Sequence, residues 1–377
     1  MKKLITIILI LPVLVLTLSG STNQDLAAPV VNIDVVDKVL ATQAFDLNLV
    51  ANEPVDYNIK YGDFEINEVA QNYRISLLAL EGNNKIEVKA TDGAGNSSEY
   101  IVDVYGIELL KPTVESPSKV IAGQAIGISS SWPESDIEAK FISVSVDGEA
   151  ANVFFINNVA RVITASKLGS EPREINIEVS LEDNFARTVK VDKVVSIVAD
   201  PRPVQELNIP ASTLSAITDE GREKERAMLQ ELYAESAKNT SPLWNSAFIL
   251  PISGTGTSGF GVPRRYVKGG NVSYHHGEDL AAGRGTKVHA TNDGIVLVAG
   301  FFAIKGGFVA IDHGAGVISF YLHQSKLLVE AGQKVSKGDI IGEVGTTGLS
   351  TGPHLHWEMR VNKIATDPMD WVGKIVP

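Results

Sequence analysis

Two stretches of this 377-residue chain alternate apolar and charged side chains with a period of two, and the second follows the first at 91 positions, residue 86 to residue 177. In NKIEVKATDGAGNSSEYIVDV, Ile86, Val88 and Ala90 alternate with Lys85, Glu87 and Lys89. A turn runs from Asp92 to Asn96, and the alternation resumes at Tyr100, Val102 and Val104. In REINIEVSLEDNFARTVKVDK the positions Ile177, Val179 and Asp183 correspond to Ile86, Val88 and Asp92. Side chains on a strand point alternately to opposite faces, so this pattern buries one face and wets the other. Each stretch predicts a half-buried hairpin, and each hairpin needs a second sheet to cover its apolar face.

The recurrence reads as two successive β-sandwich domains of immunoglobulin-like type, expected over 28–107 and 108–200. The first resembles bacterial Ig-like modules through its TDGAGN turn. ADPRPVQELNIP, with three prolines, marks an extended linker and a boundary. TDEGREKERAMLQELYAESAKN then sets Met228, Leu229, Leu232 and Tyr233 at helical spacing among charged residues, which predicts one amphipathic helix packing on a neighbour, within a linker of 201–245. From residue 246 to 377, short β-branched runs sit between glycines (GIVLVAG, GGFVAIDHG, GVISFYLH, GDIIGEVG), which predicts a compact antiparallel β domain. The expected fold class is mainly β.

Hydrophobic residues make up 44% and charged residues 21%, the composition of a folded chain and not a disordered one. The net charge of −12 argues against a nucleic-acid binder, which needs clustered Lys and Arg. The acidity is concentrated in residues 1–244, with 21 Lys+Arg against 35 Asp+Glu; residues 245–377 carry 12 against 10. The chain begins with Lys2 and Lys3, an apolar run from Leu4 to Leu18, and then Ser19, Gly20 and Ser21. That run is shorter than the roughly 20 residues of a membrane span and matches a secretory signal peptide, expected over 1–21, so the protein is expected to be exported to the periplasm, cell envelope or exterior. Membrane anchoring is expected only if this segment stays uncleaved. With no cysteine, lipid attachment at a lipobox, disulfides and thiolate metal sites are all excluded, and any metal must be held by His, Asp or Glu.

All seven histidines, at 275, 276, 289, 313, 323, 354 and 356, fall in the last third. In GPHLHWEM read as a strand, His354, His356 and Glu358 share one face while Leu355 and Trp357 take the other. Both imidazoles can reach one small volume. A catalytic zinc usually has three protein ligands and one open position, so a third ligand must come from elsewhere. YHHGEDLAAG supplies His275 and Asp279, with Gly277 between them expected to permit the sharp path that turns both inward. In GVISFYLH, alternation places Val317, Ser319, Tyr321 and His323 on one face, and its polar character suggests a site at His323. His276 and His289 are expected outside the ligand set, His313 either beside it or purely structural, and Asp293, Asp312 and Asp339 as turn formers.

The segments FGVPRRY, HHGEDLAAGRGT, VAIDHGAGVISFYLH, VSKGDIIGEVGTTGLSTGPHLHWE and DPMDW, between about Phe248 and Trp371, resemble the lysostaphin-type, or LytM-like, zinc endopeptidases of bacterial cell walls. The resemblance implies that His275, Asp279 and His356 hold one zinc ion and that His354 and His323 carry the chemistry around its water. Zinc lowers the pKa of its water to about 7 and polarises a carbonyl, and imidazoles near neutrality suit the proton and the oxyanion. The sequence does not assign base and stabiliser between His354 and His323. Glu278 departs from the family, which more often has an apolar residue there, and is expected to alter packing and not ligation. The implied function is hydrolysis of peptidoglycan stem peptides or cross-links. The alternative is a non-catalytic LytM-like regulator that binds the wall or activates an amidase.

Overall fold

The computed structural model describes residues 25–133, 137–206, 218–265 and 270–377. The apolar run Leu4 to Leu18 and the far end of the proline-rich linker, 207–217, lie outside the described residues. The described chain is mainly β, with one α-helix, and none of its helices is long and apolar enough to cross a membrane. It divides into two compact units, one ending at Leu110 and one starting at Lys111.

In the first unit the expected hairpin forms: Gly82–Thr91 pairs with Ser97–Ile107 in antiparallel register, Ile86 opposite Val102 and Val88 opposite Tyr100. Ile86, Val88, Ala90 and Val104 are buried, and the lysines and glutamates between them are exposed. The covering layer comes from one strand folding over itself. Ala44–Tyr61 is unbroken as a strand, yet the rings of Phe45 and Tyr61 lie 6.3 Å apart in an edge contact. Sixteen residues of straight strand would span about 50 Å. The register slips between Val50 and Val55, and there the strand bends back, taking its partner Phe64–Leu78 with it. The two layers enclose Leu47, Leu49, Tyr57 and Ile59.

The second unit contains the repeated hairpin, Arg173–Asp183 against Thr188–Val198. The correspondence extends to single atoms. Asp92 Oδ1 accepts from the backbone N–H groups of Ala94 and Asn96, both at 2.8 Å, and Asp183 Oδ1 accepts from those of Phe185 and Arg187, both at 2.9 Å. The sequence also points to a boundary at the Asp200–Pro210 linker, but strands on either side of it share one core. Ala125, Phe154, Ile156 and Ile163 cluster with Trp244, Phe248, Leu355, Trp357 and Trp371. The four-stranded sheet that contains Ala125–Ser131 and Val159–Ala165 therefore buries a face against the C-terminal β structure.

That C-terminal structure is built on an eight-stranded sheet in the order Thr255–Ser258, Glu278–Ala281, His354–Val361, Val317–Gln324, Gly306–Gly314, Gly294–Phe302 and Lys334–Val335, with Ile364–Thr366 folded onto His354–Val361. Helix α1 (Asp219–Ser236) starts at Thr218, whose hydroxyl accepts from Gly221 N at 3.0 Å, and carries Asp219 and Glu220 in its first turn, where the helix dipole favours negative charge. Its stripe of Met228, Leu229, Leu232 and Tyr233 packs on Phe308, Ala310, Ile318, Phe320 and Leu322. Ile318, Phe320 and Leu322 lie directly opposite Arg360, Glu358 and His356. Directly paired residues of adjacent strands share a face, so α1 lies on the same side of the sheet as His356. Asp312 accepts from Gly314 N at 3.0 Å beside the turn at Ala315 and Gly316, and it does more: fully buried in its strand, it accepts from Ser236 Oγ at 2.8 Å and Asn239 Nδ2 at 2.5 Å and fastens the end of the helix.

Candidate metal centre

Adjacent strands bring His275, Asp279 and His356 together. Asp279 is directly opposite His356 in the pairing of Glu278–Ala281 with His354–Val361, and His275 precedes that strand. The three donor atoms form a tight triangle: His356 Nδ1 to Asp279 Oδ1 2.7 Å, His275 Nε2 to His356 Nδ1 3.0 Å, and His275 Nε2 to Asp279 Oδ1 3.1 Å. Donors so close can share one ion at the about 2.0–2.2 Å that zinc keeps to nitrogen and oxygen.

The outer ring nitrogens fix the tautomers. His275 Nδ1 is 2.9 Å from the Gly259 carbonyl, which can only accept, so Nδ1 carries the proton and the Nε2 lone pair points inward. His356 Nε2 is 3.1 Å from Glu358 Oε1, so its Nδ1 lone pair points to the same place. Two imidazole lone pairs and a carboxylate oxygen facing one point repel unless a cation lies between them. The donor set thus fits a divalent metal with nitrogen and oxygen preference. The electrostatics agree. Burial alone would raise the Asp279 carboxyl, but the imidazoles of His275 and His356 packed against it hold it well below the carboxylate range. Burial opposes charge on His356, but Asp279 and Glu358 outweigh it and raise the ring to about 9. These carboxylates call for positive charge at this point.

His354 and His323 flank the triangle. His354 Nε2 is 3.7 Å from Asp279 Oδ1, and the His323 and His354 rings are 4.8 Å apart. Each donates Nδ1–H to a carbonyl, His354 to Gly352 at 2.8 Å and His323 to Thr347 at 2.8 Å, and so keeps Nε2 free. Burial first, and then the neighbouring His356, push His323 down to about 3.

The route by which His323 arrives is not strand alternation. Leu322 is opposite His356, so simple alternation would send His323 to the other face, with Ser319 and Tyr321. Those two are fully buried on that face, where Ser319 Oγ lies 2.8 Å from His313 Nε2 and 2.9 Å from Tyr321 Oη. They form a structural network, not the polar lining of a site. His323 has φ +63°, the left-handed region, and the register against Gly306–Gly314 slips between Gly307 and Val309. His323 thus occupies a β-bulge that turns its ring back to the His356 side. The role of Gly277 also differs from expectation. Its φ is not positive, but a Cβ there would stand 2.9 Å from His356 Nε2 and collide with the Trp357 carbonyl. Glycine is needed for close approach to the neighbouring strand.

Among the other expected residues, His276 is exposed, and His289 donates to the Gly338 carbonyl at 2.8 Å, away from the cluster. Asp293 and Asp339 accept from the backbone N–H groups of Lys337 and Ser336. Glu278 accepts from Phe260 N at 3.1 Å and so steadies the turn whose Gly259 carbonyl orients His275. Several side chains at or behind the site carry no sequence signal of their own. Arg264 Nη2 lies 3.7 Å from Asp279 Oδ2, and Arg360, paired with Glu358 at 2.5 Å, also reaches Tyr233 Oη of α1 at 3.1 Å. Glu358 was visible on the histidine face; its partners were not.

Residues 273–368 match the profile of Peptidase family M23. Over 205 residues the chain is 33% identical to the peptidoglycan DD-endopeptidase ShyA of Vibrio cholerae, a match that covers 53% of this chain and 48% of that protein. It is 28% identical over 245 residues to the peptidoglycan DD-endopeptidase ShyB of the same organism, covering 63% and 58%. The chain thus spans about half the length of these curated relatives. Of the solved structures, the catalytic domain of the antimicrobial peptidase lysostaphin from Staphylococcus simulans is 34% identical, with 31% of this chain and 90% of that chain covered and a TM-score of 0.28. Within its C-terminal part, over residues 273–368, this chain carries a domain of peptidase family M23.

Proposed function

We propose that the chain is an exported, zinc-dependent endopeptidase that hydrolyses peptide bonds in the stem peptides or cross-links of bacterial peptidoglycan. The observation that carries this reading is the convergence of His275 Nε2, His356 Nδ1 and Asp279 Oδ1 within 3.1 Å of one another, with the free Nε2 atoms of two further imidazoles beside them. The names of the relatives supply the substrate class. When bound, zinc acidifies a water and polarises a carbonyl.

The chain's own residues do the rest. The Gly352 and Thr347 carbonyls hold His354 and His323 in the tautomer that leaves Nε2 free to take a proton from water or, once protonated, to donate to an oxygen gaining negative charge. Asp279 stays ionised and acceptor-only. The rings of His275, His323 and His356 are nearly buried, so charge is little screened by solvent there.

The test is digestion of purified sacculi and synthetic muropeptides, with products read by mass spectrometry and zinc measured directly. We expect about one zinc per chain, cleavage lost on chelation and restored by zinc, and a His354→Ala chain that keeps zinc but loses cleavage by about 100-fold or more. A zinc-loaded chain that leaves every muropeptide intact would overturn the reading and favour a wall-binding regulator or amidase activator.

A further inference from the structure

Helix α1 lies outside the stretch that matches family M23, yet it spends a carboxylate on the turn next to His323. Glu225 is 5% exposed, and its Oε1 accepts from the backbone N–H groups of Ile304 at 2.6 Å and Lys305 at 3.3 Å. Burying a carboxylate is costly, and a turn at the surface could leave those two N–H groups to water at no cost. The turn has another duty. The Lys305 carbonyl accepts from His323 N at 2.9 Å, and the Ile304 carbonyl accepts from Leu349 N at 2.8 Å, two residues from the Thr347 whose carbonyl holds the His323 ring.

A histidine at φ +63° sits in the left-handed region that side chains disfavour, and it persists only where its surroundings over-determine it. The Lys305 carbonyl clamps its backbone N–H and the Thr347 carbonyl its ring, while Thr347 N donates to the His323 carbonyl at 3.4 Å. We propose that Glu225 is a positioning residue for His323: by fixing the Ile304–Lys305 turn it keeps the bulge closed and the ring on the His356 side of the sheet. Without it, the bulge relaxes toward regular strand and His323 swings toward the face of Ser319 and Tyr321.

The inference rests on the reading of His323 as a reacting group, and the experiment separates the two. In the full zinc-loaded chain, Glu225→Ala should lower kcat for muropeptide cleavage by at least about tenfold, with KM within about twofold and zinc affinity unchanged. Glu225→Gln, which keeps one acceptor oxygen, should restore most of the rate. Leu229→Ala, which thins the packing of the same helix, should lower thermal stability but not kcat. A second readout needs neither metal nor activity: in the metal-free chain, the Nδ1–H proton of His323, observed by NMR, should exchange with solvent faster in Glu225→Ala than in wild type. If wild type itself cuts nothing, the functional reading has failed. If wild type cuts and Glu225→Ala matches it in kcat and in proton exchange, or if Leu229→Ala loses kcat equally, the positioning role is overturned.

Discussion

At the scale of single residues, the site depends on side chains whose second polar atom is occupied. Glu358 is 3% exposed, takes the outer nitrogen of His356 and is held in turn by Arg360, which keeps it well below the carboxylate range despite burial. Partners of this kind fix the tautomer and the aim of a metal-binding ring, and their loss typically weakens metal binding by about 10–100-fold. Glu358→Gln should therefore raise the zinc Kd by about that factor in chelator competition; an unchanged Kd would show that Asp279 and His275 alone orient His356. His313, fully buried between the Asp293 carbonyl and Ser319, gives a prediction about pH. Burial pushes it down to about 4, from 6.5. A depressed pKa means the neutral ring is the one the fold accepts, so its contribution is complete above pH 6.5 and is lost as pH falls through about 4. The loss amounts to about 3 kcal/mol. Urea unfolding at pH 7 and pH 4.5 should show this slope in wild type and a flatter one in His313→Gln.

At the scale of elements, α1 works by packing and by capping. Leu232, 3% exposed among Phe308, Ala310, Ile318, Phe320 and Leu322, is the most buried residue of the apolar stripe. Leu232→Ala should cost about 2–5 kcal/mol of stability and Thr218→Ala about 1, both by denaturant unfolding at neutral pH. An equal loss at both positions would mean that the helix is held by its ends and not by its stripe. The stripe itself was legible from spacing, because 3.6-residue periodicity is a local property. Its destination was not: nothing local to Met228 or Leu232 specifies Phe308 and Phe320, and Glu225 reads on a helical wheel as one more solvated acid.

At the scale of the whole molecule, the four-stranded sheet of the second unit and the M23 domain share one core. Phe154 stacks edge-on against Trp244 at 5.8 Å, and Trp244 donates to the Ile375 carbonyl at 2.8 Å. A chain of residues 111–377 should therefore keep its melting temperature and zinc content. A chain starting at 201 should melt several degrees lower, because it exposes the apolar surface that Phe154, Ile156 and Ile163 cover. Calorimetry on the two truncations decides between this shared core and two independent domains.

Periodicity and residue chemistry alone determined that the chain is mainly β, that its hairpins recur, and that His275, Asp279, His354 and His356 are candidates to gather round an ion, because alternation and ligand type are written residue by residue; which of them hold it came from the family resemblance. Only the tertiary structure decided that Ala44–Tyr61 folds over itself, that His323 leaves its strand to join the others, and that a buried glutamate of the helix stands behind it. Those depend on backbone dihedrals and on contacts between segments far apart in the chain, where the energy of one arrangement over another is set by neighbours that no local stretch of sequence contains.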